Sequence, residues 1–327
     1  MQAESTTIMI LTWDSADHVV PAVESSLEQT LPSAEVVVLD NGSVDGTVEL
    51  VERRFGRDVS VVGFDRNLGY TGAYNRGIAQ AGTDFVLLLN PDARLAPTFL
   101  EHALPAFDEP RTGIVAGRLM RTGGKTVDTS GQFLARSRKT IDRGYGLPYD
   151  PARDRAGPVL SACGAAALYR RSMLDDVADP DGAVLDPDYF AFNEDLELGW
   201  RAWRAGWRAV HVPSAVAEHG RAGGATSGRL GLTFHRSAAV TAHVVKNRWL
   251  SMIRHDRLRA VLRDLPSIAG RDLALLSALT LARPRAYLHL WRWSGAARRA
   301  LDKRRADAGR RGRWGAWRRE VPPRGVW

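Results

Sequence analysis

The stretch Phe85-Val86-Leu87-Leu88-Leu89-Asn90-Pro91-Asp92 joins a run of five apolar residues to a polar turn. A short, continuous apolar run predicts a strand buried on both faces of a parallel sheet. Asp92 then lies at the carboxyl edge of the sheet, where open α/β folds bind ligands and a carboxylate can hold a divalent cation against a diphosphate. The alternative interpretation is that Pro91 and Asp92 only turn the chain and cap a helix that begins near Pro97.

A second apolar run, Val36–Leu39, also ends in an acid, Asp40. If the two strands are parallel, both acids lie at the same edge of the sheet. The turn after Asp40 has a structural explanation of its own, because glycines allow a tight turn and Ser43 or Asp45 can cap a helix over Val48–Phe55.

A third strand, Val59–Phe64, is predicted to lead into a helix through the segment Asp65–Gly77. Small residues in this segment let a ligand approach the backbone closely. Together the motifs resemble the family-2 glycosyltransferases, which are inverting enzymes of the GT-A fold. The resemblance is carried, in the family's order, by Ile8–Asp14, Asp40–Gly46, Arg66–Gly69 and Leu89–Asp92.

The resemblance covers roughly Thr6 to Arg254 and is closest to rhamnosyltransferase-like members, which carry similar basic and aromatic residues in the helix expected over Leu232–Ile253. It implies an α/β fold with a mostly parallel, Rossmann-like sheet flanked by helices and a helical, basic carboxyl-terminal extension. It also implies a nucleotide-sugar donor, with Thr12 and Asp40 at the base and ribose. The residues expected at the donor nucleotide are Thr12, Asp40, Arg66, Asn67 and Asn75.

The resemblance further implies a divalent metal, Mg²⁺ or Mn²⁺, on Asp92 as the acid of a DxD-type motif, although Asn90 replaces the first acid of that motif. After a predicted edge strand, Ala209–Pro213, the segment Ala215–Gly220 resembles the family segment that ends in a metal-reaching histidine. His219 is therefore a candidate second ligand. Without the resemblance, a single histidine is more often structural or exposed to solvent.

The second half of the sequence carries candidate catalytic acids. Leu196, Trp200 and Trp203 recur at helical spacing, which predicts an amphipathic helix with Glu194 and Asp195 in its first turn. Acids in a first turn can simply complement the helix dipole. The resemblance instead implies that Asp195 is the general base that deprotonates the acceptor hydroxyl, and that Glu194 orients the acceptor or Asp195.

Two further segments complete the expected acceptor side. Gly164–Arg171 resembles the family's small-residue strand that ends in a basic pair, and we expect it to form the floor of the acceptor pocket. The segment Arg121–Pro158 is rich in Gly, Arg and Asp without clear periodicity, which predicts a loop or hairpin insertion over the acceptor side.

Composition agrees with a globular enzyme: 327 residues, 44% of them hydrophobic, can bury a sizeable core. Cys163 is the single cysteine, which excludes an intramolecular disulfide and fits a reducing compartment. No apolar signal stretch precedes the first strand, so a cytoplasmic location is expected. The first strand is followed by no Gly-x-Gly-x-x-Gly loop, which argues against a nicotinamide dehydrogenase.

The basic charge is concentrated in the tail, where Trp291–Trp327 contains 12 Arg or Lys residues and three acids. Interleaved Trp and Arg suit the surface of an anionic membrane, which predicts peripheral association with the inner face of the cell membrane. Leu273–Leu281 is apolar, but Arg271, Asp272 and Arg283 bracket it too closely for a span of about 20 residues. A solvated tail remains an alternative, and no recognised nucleic-acid fold accompanies it, so no nucleic-acid partner is expected.

These observations predict three parts: a GT-A catalytic domain over 1–230, a helical region over 231–290 and a basic tail over 291–327. The expected activity is metal-dependent, inverting transfer of a sugar from a nucleotide-diphosphate sugar, dTDP-rhamnose or a UDP sugar. The expected acceptor is a hydroxyl of a cell-surface glycan or a polyprenyl-linked glycan. The alternative is a non-catalytic nucleotide-sugar-binding scaffold of a glycan assembly complex.

Overall fold

The computed structural model describes residues 6–32, 35–221, 238–282, 284–292 and 294–308. Parts of two sequence predictions, residues 232–237 of the expected helix and residues 309–327 of the tail, lie outside the described residues. The strands are β1 (Thr6–Thr12), β2 (Glu35–Asp40), β3 (Ser60–Gly63), β4 (Phe85–Leu89), β5 (Ala93–Leu95), β6 (Thr112–Arg121), β7 (Val127–Thr129), β8 (Gln132–Leu134), β9 (Thr140–Asp142), β10 (Gly157–Val159), β11 (Ala166–Arg170) and β12 (Arg208–His219). The helices are α1 (Val19–Leu27), α2 (Thr47–Phe55), α3 (Gly69–Gln80), α4 (Phe99–Ala103), α5 (Arg171–Val177), α6 (Glu194–Ala205), α7 (Ala238–His255), α8 (Leu258–Ala282), α9 (Ala286–Arg292) and α10 (Ser294–Ala308).

A mixed sheet with the strand order β10-β12-β6-β11-β4-β1-β2-β3 forms the centre of the region that precedes helix α7. β1 pairs in parallel with β2 and β4, and β2 pairs in parallel with β3, so the carboxyl ends of these strands meet at one edge. β11 is antiparallel to β4 and β6, whereas β6 and β12 are parallel to each other. The predicted fold class, an α/β sheet flanked by helices with further helices at the carboxyl end, is confirmed.

Strand β4 is buried on both faces, as its apolar run predicts. Phe85, Leu87 and Leu89 belong to the apolar cluster on one face of the sheet, and Val86 and Leu88 belong to the cluster on the other face. Each of the five side chains is at most 4% exposed. The alternation of side chains along a strand distributes this run between two cores.

The ends of two helices differ from the sequence expectations. Helix α2 begins after Gly46, whose φ of 85° favours glycine. Asp45 supports this end by accepting hydrogen bonds from the amide and hydroxyl of Thr47 at 3.1 and 2.5 Å, whereas the Ser43 hydroxyl donates to Asp40. Helix α4 follows Thr98, so the interpretation that Pro91 and Asp92 cap this helix is wrong.

The prediction of an edge strand over Ala209–Pro213 is also wrong. These residues belong to β12, which lies between β10 and β6 and continues to His219. Pro213 falls within a register irregularity between Val212 and Val216, where the missing N–H disrupts no regular ladder. The strand therefore reaches β5 and pairs His219 with Ala93.

The segment 121–158 contains strand β7, which pairs with β6, and a hairpin of β8 and β9. The predicted hairpin is thus confirmed.

The carboxyl-terminal helices form two small cores with each other and with the catalytic region. Val245 of α7 packs with Leu275 and Leu279 of α8, while Leu250 of α7 packs with Tyr189 and α10. Within the described residues, α8 is the one helix long and apolar enough to cross a membrane by length and composition. The expectation that the charges around Leu273–Leu281 prevent a span stays a prediction. A single helix of this kind is weak evidence of a span.

Candidate active site

A cavity of about 710 Å³ opens at the carboxyl edge of the sheet. Its walls come from the ends of β1 and β4, the β8–β9 hairpin, the start of α6, the end of β12 and helices α7 and α8. The predicted catalytic and metal-binding residues line it: Asp92, Glu194, Asp195 and His219. The predicted donor residues Thr12, Asp40, Arg66, Asn67 and Asn75 do not line this cavity.

Thr12 and Asp40 lie side by side at the ends of β1 and β2. The Thr12 hydroxyl donates to Asp40 Oδ1 at 2.8 Å, and Asp40 Oδ2 accepts from the amide of Ser43 at 2.9 Å. Both side chains are buried, with Asp40 only 3% exposed. In this arrangement Asp40 fixes the turn that follows β2.

The turn before α3 is attached to β2 through two amide side chains. Asn41 Nδ2 donates to Asn67 Oδ1 at 3.0 Å, and the Leu68 amide donates to Asn41 Oδ1 at 2.7 Å. The backbone of Arg66 lies so close to Gly42 that a Cβ there would be 3.1 Å from Arg66 Cα. The sequence motif therefore corresponds to one tightly packed corner of the sheet edge.

Asn75 has a different setting from the other predicted donor residues. Its Nδ2 donates to the Leu185 carbonyl at 2.7 Å, and its Oδ1 accepts from the amides of Val184 and Leu185 at 3.1 and 2.8 Å. These bonds hold the segment that leads to α6. The side chain thus supports the segment before Glu194 and Asp195.

Asp195 is held by hydrogen bonds at the start of α6. Its Oδ2 accepts from Gln132 Nε2 and from the Gly164 amide, each at 2.9 Å, and its Oδ1 accepts from the Leu196 amide at 2.7 Å. The Ser161 hydroxyl donates to the Asp195 carbonyl at 2.6 Å. Hairpin strand β8 and the residues before β11 therefore fix the carboxylate, and the prediction that Gly164–Arg171 includes a strand is confirmed.

The two acids of this turn are buried together without a cation. Glu194 and Asp195 are 5% and 8% exposed, and neither forms an ion pair with a residue that the structure describes. Glu194 Oε2 is buried without a hydrogen-bond partner among those same residues. Burial, reinforced by the charge of Asp195, raises the pKa of Glu194 well above its usual range, and burial likewise raises the pKa of Asp195.

The loop before these acids has an unusual backbone that is held from α7. Phe190, Phe192 and Asn193 have φ values of 63°, 73° and 65°. Asn247 Nδ2 donates to the carbonyls of Tyr189, Ala191 and Phe192 at 3.0, 2.8 and 2.6 Å. Sequence reasoning missed this supporting residue, although it lies in the predicted helix.

His219 meets Asp92 because β12 extends to β5. His219 Nε2 lies 3.4 Å from Asp92 Oδ1, and its Nδ1 lies 2.8 Å from Asp128 Oδ2. Although burial alone lowers it, hydrogen bonds to Asp128 and Asp92 raise the pKa of His219 to about 9. Arg221 pairs with the same Asp128. The sequence did not indicate a role for Asp128, because this residue lies in a short strand 91 residues before His219 and 93 residues before Arg221 in the chain.

The chemistry of this corner fits a divalent cation. Two ligand atoms separated by 3.4 Å, Asp92 Oδ1 and His219 Nε2, can share one ion at the usual distances of about 2.0–2.2 Å. Asp128 is placed as the carboxylate that orients a ligating imidazole through its other nitrogen. Within the described residues no cluster of three or more His, Cys, Asp or Glu residues forms a metal cage. Additional ligands would therefore come from other oxygen atoms, such as those of a bound phosphate.

Comparisons with known proteins agree with the fold and the motifs. Residues 7–178 match the model of the family described as glycosyl transferase family 2. The chain is 29% identical over 238 residues to an N-acetylglucosaminyl-diphospho-decaprenol L-rhamnosyltransferase of Mycobacterium tuberculosis, covering 66% of this chain and 76% of that protein. It is 23% identical over 218 residues to a poly-beta-1,6-N-acetyl-D-glucosamine synthase of Staphylococcus aureus, covering 66% and 50% of the two chains.

Two solved structures share the fold at low identity. Residues 1–349 of S. aureus TarS in complex with UDP-GlcNAc superpose with a TM-score of 0.59 at 17% identity, covering 93% of this chain and 88% of that one. The mannosyltransferase PcManGT from Pyrobaculum calidifontis, in complex with GDP-Man and Mn²⁺, gives a TM-score of 0.54 at 18% identity and covers 91% and 86%.

Proposed function

The chain belongs to glycosyltransferase family 2, an inverting family, and we propose that it transfers a sugar from a nucleotide-diphosphate sugar to a hydroxyl of a cell-surface glycan or polyprenyl-linked acceptor. The observation that carries this proposal is the pair of buried acids, Glu194 and Asp195, in a cavity that also contains Asp92 and His219. A cavity of this kind offers a base and a cation-binding corner to one bound pair of substrates.

Asp195 acts as the general base in this proposal. Its Oδ2 already accepts two hydrogen bonds, whereas Oδ1 accepts one and keeps a lone pair for the acceptor hydroxyl. Proton removal by Asp195 lets the acceptor oxygen attack the anomeric carbon opposite the leaving diphosphate, which gives inversion. The raised pKa makes the carboxylate a better proton acceptor than an exposed aspartate.

In this proposal Glu194 orients the acceptor that Asp195 deprotonates. Burial and the charge of Asp195 raise the pKa of Glu194 well above its usual range, which favours the protonated form of Glu194 beside an ionised Asp195. A neutral carboxylic acid can donate a hydrogen bond to the acceptor and orient it. Ionising both groups together would place two like charges in one buried turn.

Asp92 and His219 are the proposed ligands of Mg²⁺ or Mn²⁺. When bound there, the cation supplies positive charge to the diphosphate of the donor and of the departing nucleotide. Asp92 would contribute a carboxylate oxygen, and His219 would contribute Nε2 after that nitrogen loses its proton, with Asp128 accepting from Nδ1. The Mn²⁺ in the PcManGT complex supports a metal in this fold.

The donor is proposed to be dTDP-rhamnose or a UDP sugar. The name of the mycobacterial relative supports rhamnose and a diphosphate-linked polyprenyl acceptor, and the UDP-GlcNAc complex of TarS supports a UDP sugar. Thr12, Asp40, Arg66 and Asn67 are proposed at the nucleotide. Asn75 is proposed to act through the 184–185 segment, given its hydrogen bonds.

A thermal-shift screen followed by a transfer assay tests this function. We expect dTDP-rhamnose or a UDP sugar to raise the melting temperature with Mg²⁺ or Mn²⁺ and to raise it less in EDTA. Asp92→Asn should lose most of the metal-dependent rise in melting temperature. Its melting temperature without ligand should stay close to that of the wild type. Equal stabilisation of the variant would contradict the assignment of Asp92.

The same experiment separates the enzyme from a scaffold. Donor-dependent stabilisation without release of the nucleoside diphosphate, in the presence of acceptor, would favour the non-catalytic alternative. Absence of stabilisation by every nucleotide sugar would contradict both.

We also propose that the carboxyl-terminal region rests on an anionic membrane. Exposed leucines at helical spacing form a stripe along α8, and the exposed basic residues beside them suit anionic headgroups. The stripe comprises Leu258, Leu262, Leu265 and Leu273, and the neighbouring basic residues are Arg257, Arg259 and Arg263. Arg263 also pairs with Asp264 at 2.8 Å, and Arg299 and Lys303 of α10 pair with Asp188 and Asp186.

Sedimentation with vesicles tests the membrane proposal. The double change Leu262→Ser and Leu273→Ser should reduce binding to vesicles that contain phosphatidylglycerol, whereas Leu301→Ser, at an exposed position of α10, should not. Deleting residues 309–327 measures how much of the vesicle binding depends on the last part of the tail. Undiminished binding by the double variant would contradict a role for α8.

A further inference from the structure

The cavity carries a group of cations on elements other than those of Asp92 and His219. Arg138 and Lys139 belong to the β8–β9 hairpin, Arg248 to α7 and Arg271 to α8, and all four line the cavity. Their elements differ from those that hold the proposed metal corner. This part of the wall is called the basic wall below.

Two members of the basic wall have a structural explanation. Arg138 is buried and pairs with Asp256 at 2.5 Å and with Asp264 at 2.8 Å. Arg248 pairs with Asp272 at 2.6 Å and donates from Nη2 to the Ser137 carbonyl at 2.7 Å. These two arginines attach the hairpin turn to α7 and α8.

Lys139 and Arg271 add positive charge to a cavity that Asp142 also lines. Lys139 forms no ion pair or side-chain hydrogen bond with any residue that the structure describes, and it is half-buried. Burial and then the charge of Arg271 lower the pKa of Lys139, while Asp142 opposes them. Burial and then Arg248 lower the pKa of Arg271. Like charges held together in a cavity are relieved by an anion.

The hairpin turn presents Lys139 in a fixed position. The Ala135 amide donates to the Lys139 carbonyl and the Arg138 amide donates to the Ala135 carbonyl, both at 2.9 Å. Arg138 itself has a φ of 61° and is held by the ion pairs described above. The hairpin turn is thus held to α7 and α8 before any ligand binds. An anion that binds to Lys139 would therefore require little ordering of the chain.

Apolar residues lie beside these cations. Val244 of α7 and Leu275 of α8 line the same cavity, and the outer side of α8 carries the exposed leucine stripe. An anion joined to a long apolar chain matches this combination better than an anion alone. A prenyl diphosphate has that chemistry.

We propose that Lys139 and Arg271 bind the diphosphate of a prenyl-diphosphate-linked acceptor, with its first prenyl units against Val244 and Leu275. The inference rests on the proposed function, in which the donor diphosphate occupies the corner of Asp92 and His219. It assigns a second phosphate site to the acceptor. The basic wall then positions the acceptor sugar toward Asp195.

Pyrophosphate binding, measured by calorimetry in EDTA, tests the subsite without any transfer. The wild-type chain and Asp92→Asn should bind pyrophosphate alike, whereas Lys139→Gln and Arg271→Gln should each weaken binding on the order of tenfold. Arg271→Lys, which keeps the positive charge, should retain most of the affinity for pyrophosphate. Arg136→Gln, an exposed change in the same hairpin as Lys139 and outside the cavity lining, is the matched control.

Transfer kinetics with two acceptors separate the inference from the proposed function. For a prenyl-diphosphate-linked sugar, Lys139→Gln and Arg271→Gln should raise KM on the order of tenfold, with KM for the neutral octyl glycoside of the same sugar unchanged. Equal rises for both acceptors, or no pyrophosphate binding by the wild type, would overturn the inference. If the wild type transfers no sugar, the proposed function fails, and pyrophosphate binding still decides the subsite.

Discussion

The first four positions of helix α6 carry three acids, with an unpaired end at Glu194 and Asp195 and a paired end at Glu197. Glu194 and Asp195 face a cavity and form no ion pair within the described part of the chain. Glu197, two residues after Asp195, pairs with Arg201 at 2.8 Å and with Arg254 at 3.3 Å. The same residue type thus serves stability at one position and is left available for chemistry at another.

The paired end belongs to a buried ionic network around Arg254. This guanidinium, 1% exposed, pairs with Asp179, with Asp186 and Asp307 at 3.1 Å each, and with Glu197. Despite the burial, these acids raise the pKa of Arg254 above its ordinary value, so the charge is retained. Asp307 lies on α10, so the network joins the carboxyl-terminal helices to α6.

His255 completes the network as a neutral ring. Burial and then the charges of Arg254 and Arg204 hold its pKa well below the usual range. Because Arg204 donates to Nδ1 at 2.9 Å, the proton of the ring is on Nε2, which donates to Glu197 Oε1 at 2.7 Å. The comparison teaches that burial alone does not identify a catalytic acid. The absence of a compensating cation among the described neighbours distinguishes Glu194 and Asp195 from Glu197.

Arg254→Met should give the largest effect and tests the paired end. Removing the guanidinium leaves buried carboxylates uncompensated, so the free energy of unfolding should fall by about 3–5 kcal/mol, measured by urea denaturation. Arg305→Met is the matched control, because its ion pair with Asp302 is exposed and should contribute less than about 1 kcal/mol. If both variants lost the same free energy of unfolding, the buried network around Arg254 would contribute no more to stability than an exposed ion pair.

Asp195→Asn tests the unpaired end. Loss of proton removal should lower kcat on the order of a hundredfold, about 2.7 kcal/mol of transition-state free energy, while donor-dependent thermal stabilisation persists. In the wild type, kcat should rise with pH as Asp195 loses its proton. Since burial raises the pKa of Asp195, this rise should occur at a higher pH than for an exposed aspartate. Near-normal turnover by the variant would transfer the role of base to Glu194.

Glu194→Gln should give the smallest effect and sharpens the comparison through pH. Because the folded chain raises the pKa of Glu194, the unfolded chain binds fewer protons between the ordinary and the folded value. The stability of the wild type should therefore fall as pH rises in that window, by up to about 1.4 kcal/mol per pH unit. Glutamine does not ionise, so the variant should gain stability relative to the wild type with rising pH.

Urea denaturation between pH 5 and 8 measures this difference. Glu28→Gln, at an exposed position, should follow the wild-type curve. Parallel curves for Glu194→Gln and the wild type would show that Glu194 is already ionised in the folded chain.

Sequence reasoning succeeded where the signal was local. The run Phe85–Leu89 predicted a strand with both faces covered, and the spacing of Leu196, Trp200 and Trp203 predicted α6. Gly206, with a φ of 91°, ends that helix. In both elements the pattern of apolar residues along the chain determined the type of element.

It failed where the determining contact is distant in the chain. The central position of β12 depends on pairing with β6, about 100 residues earlier, which no periodicity reveals. Asp128 reaches His219, and Gln132 reaches Asp195, only through the folded hairpin region. Arg299 and Lys303 were expected to contribute to a membrane-binding tail, yet their partners, Asp188 and Asp186, lie more than 100 residues away.

The three hydrogen bonds from Asn247 have a consequence for the modularity of the enzyme. Residues 7–178, which match the family model, end before both Asp195 and Asn247. The proposed base, Asp195, thus follows a loop that is held by a helix beyond the matched region. Exchanging the carboxyl-terminal helices between relatives to change acceptor preference would also exchange the support of the base, so the loop 186–193 and α7 must travel together.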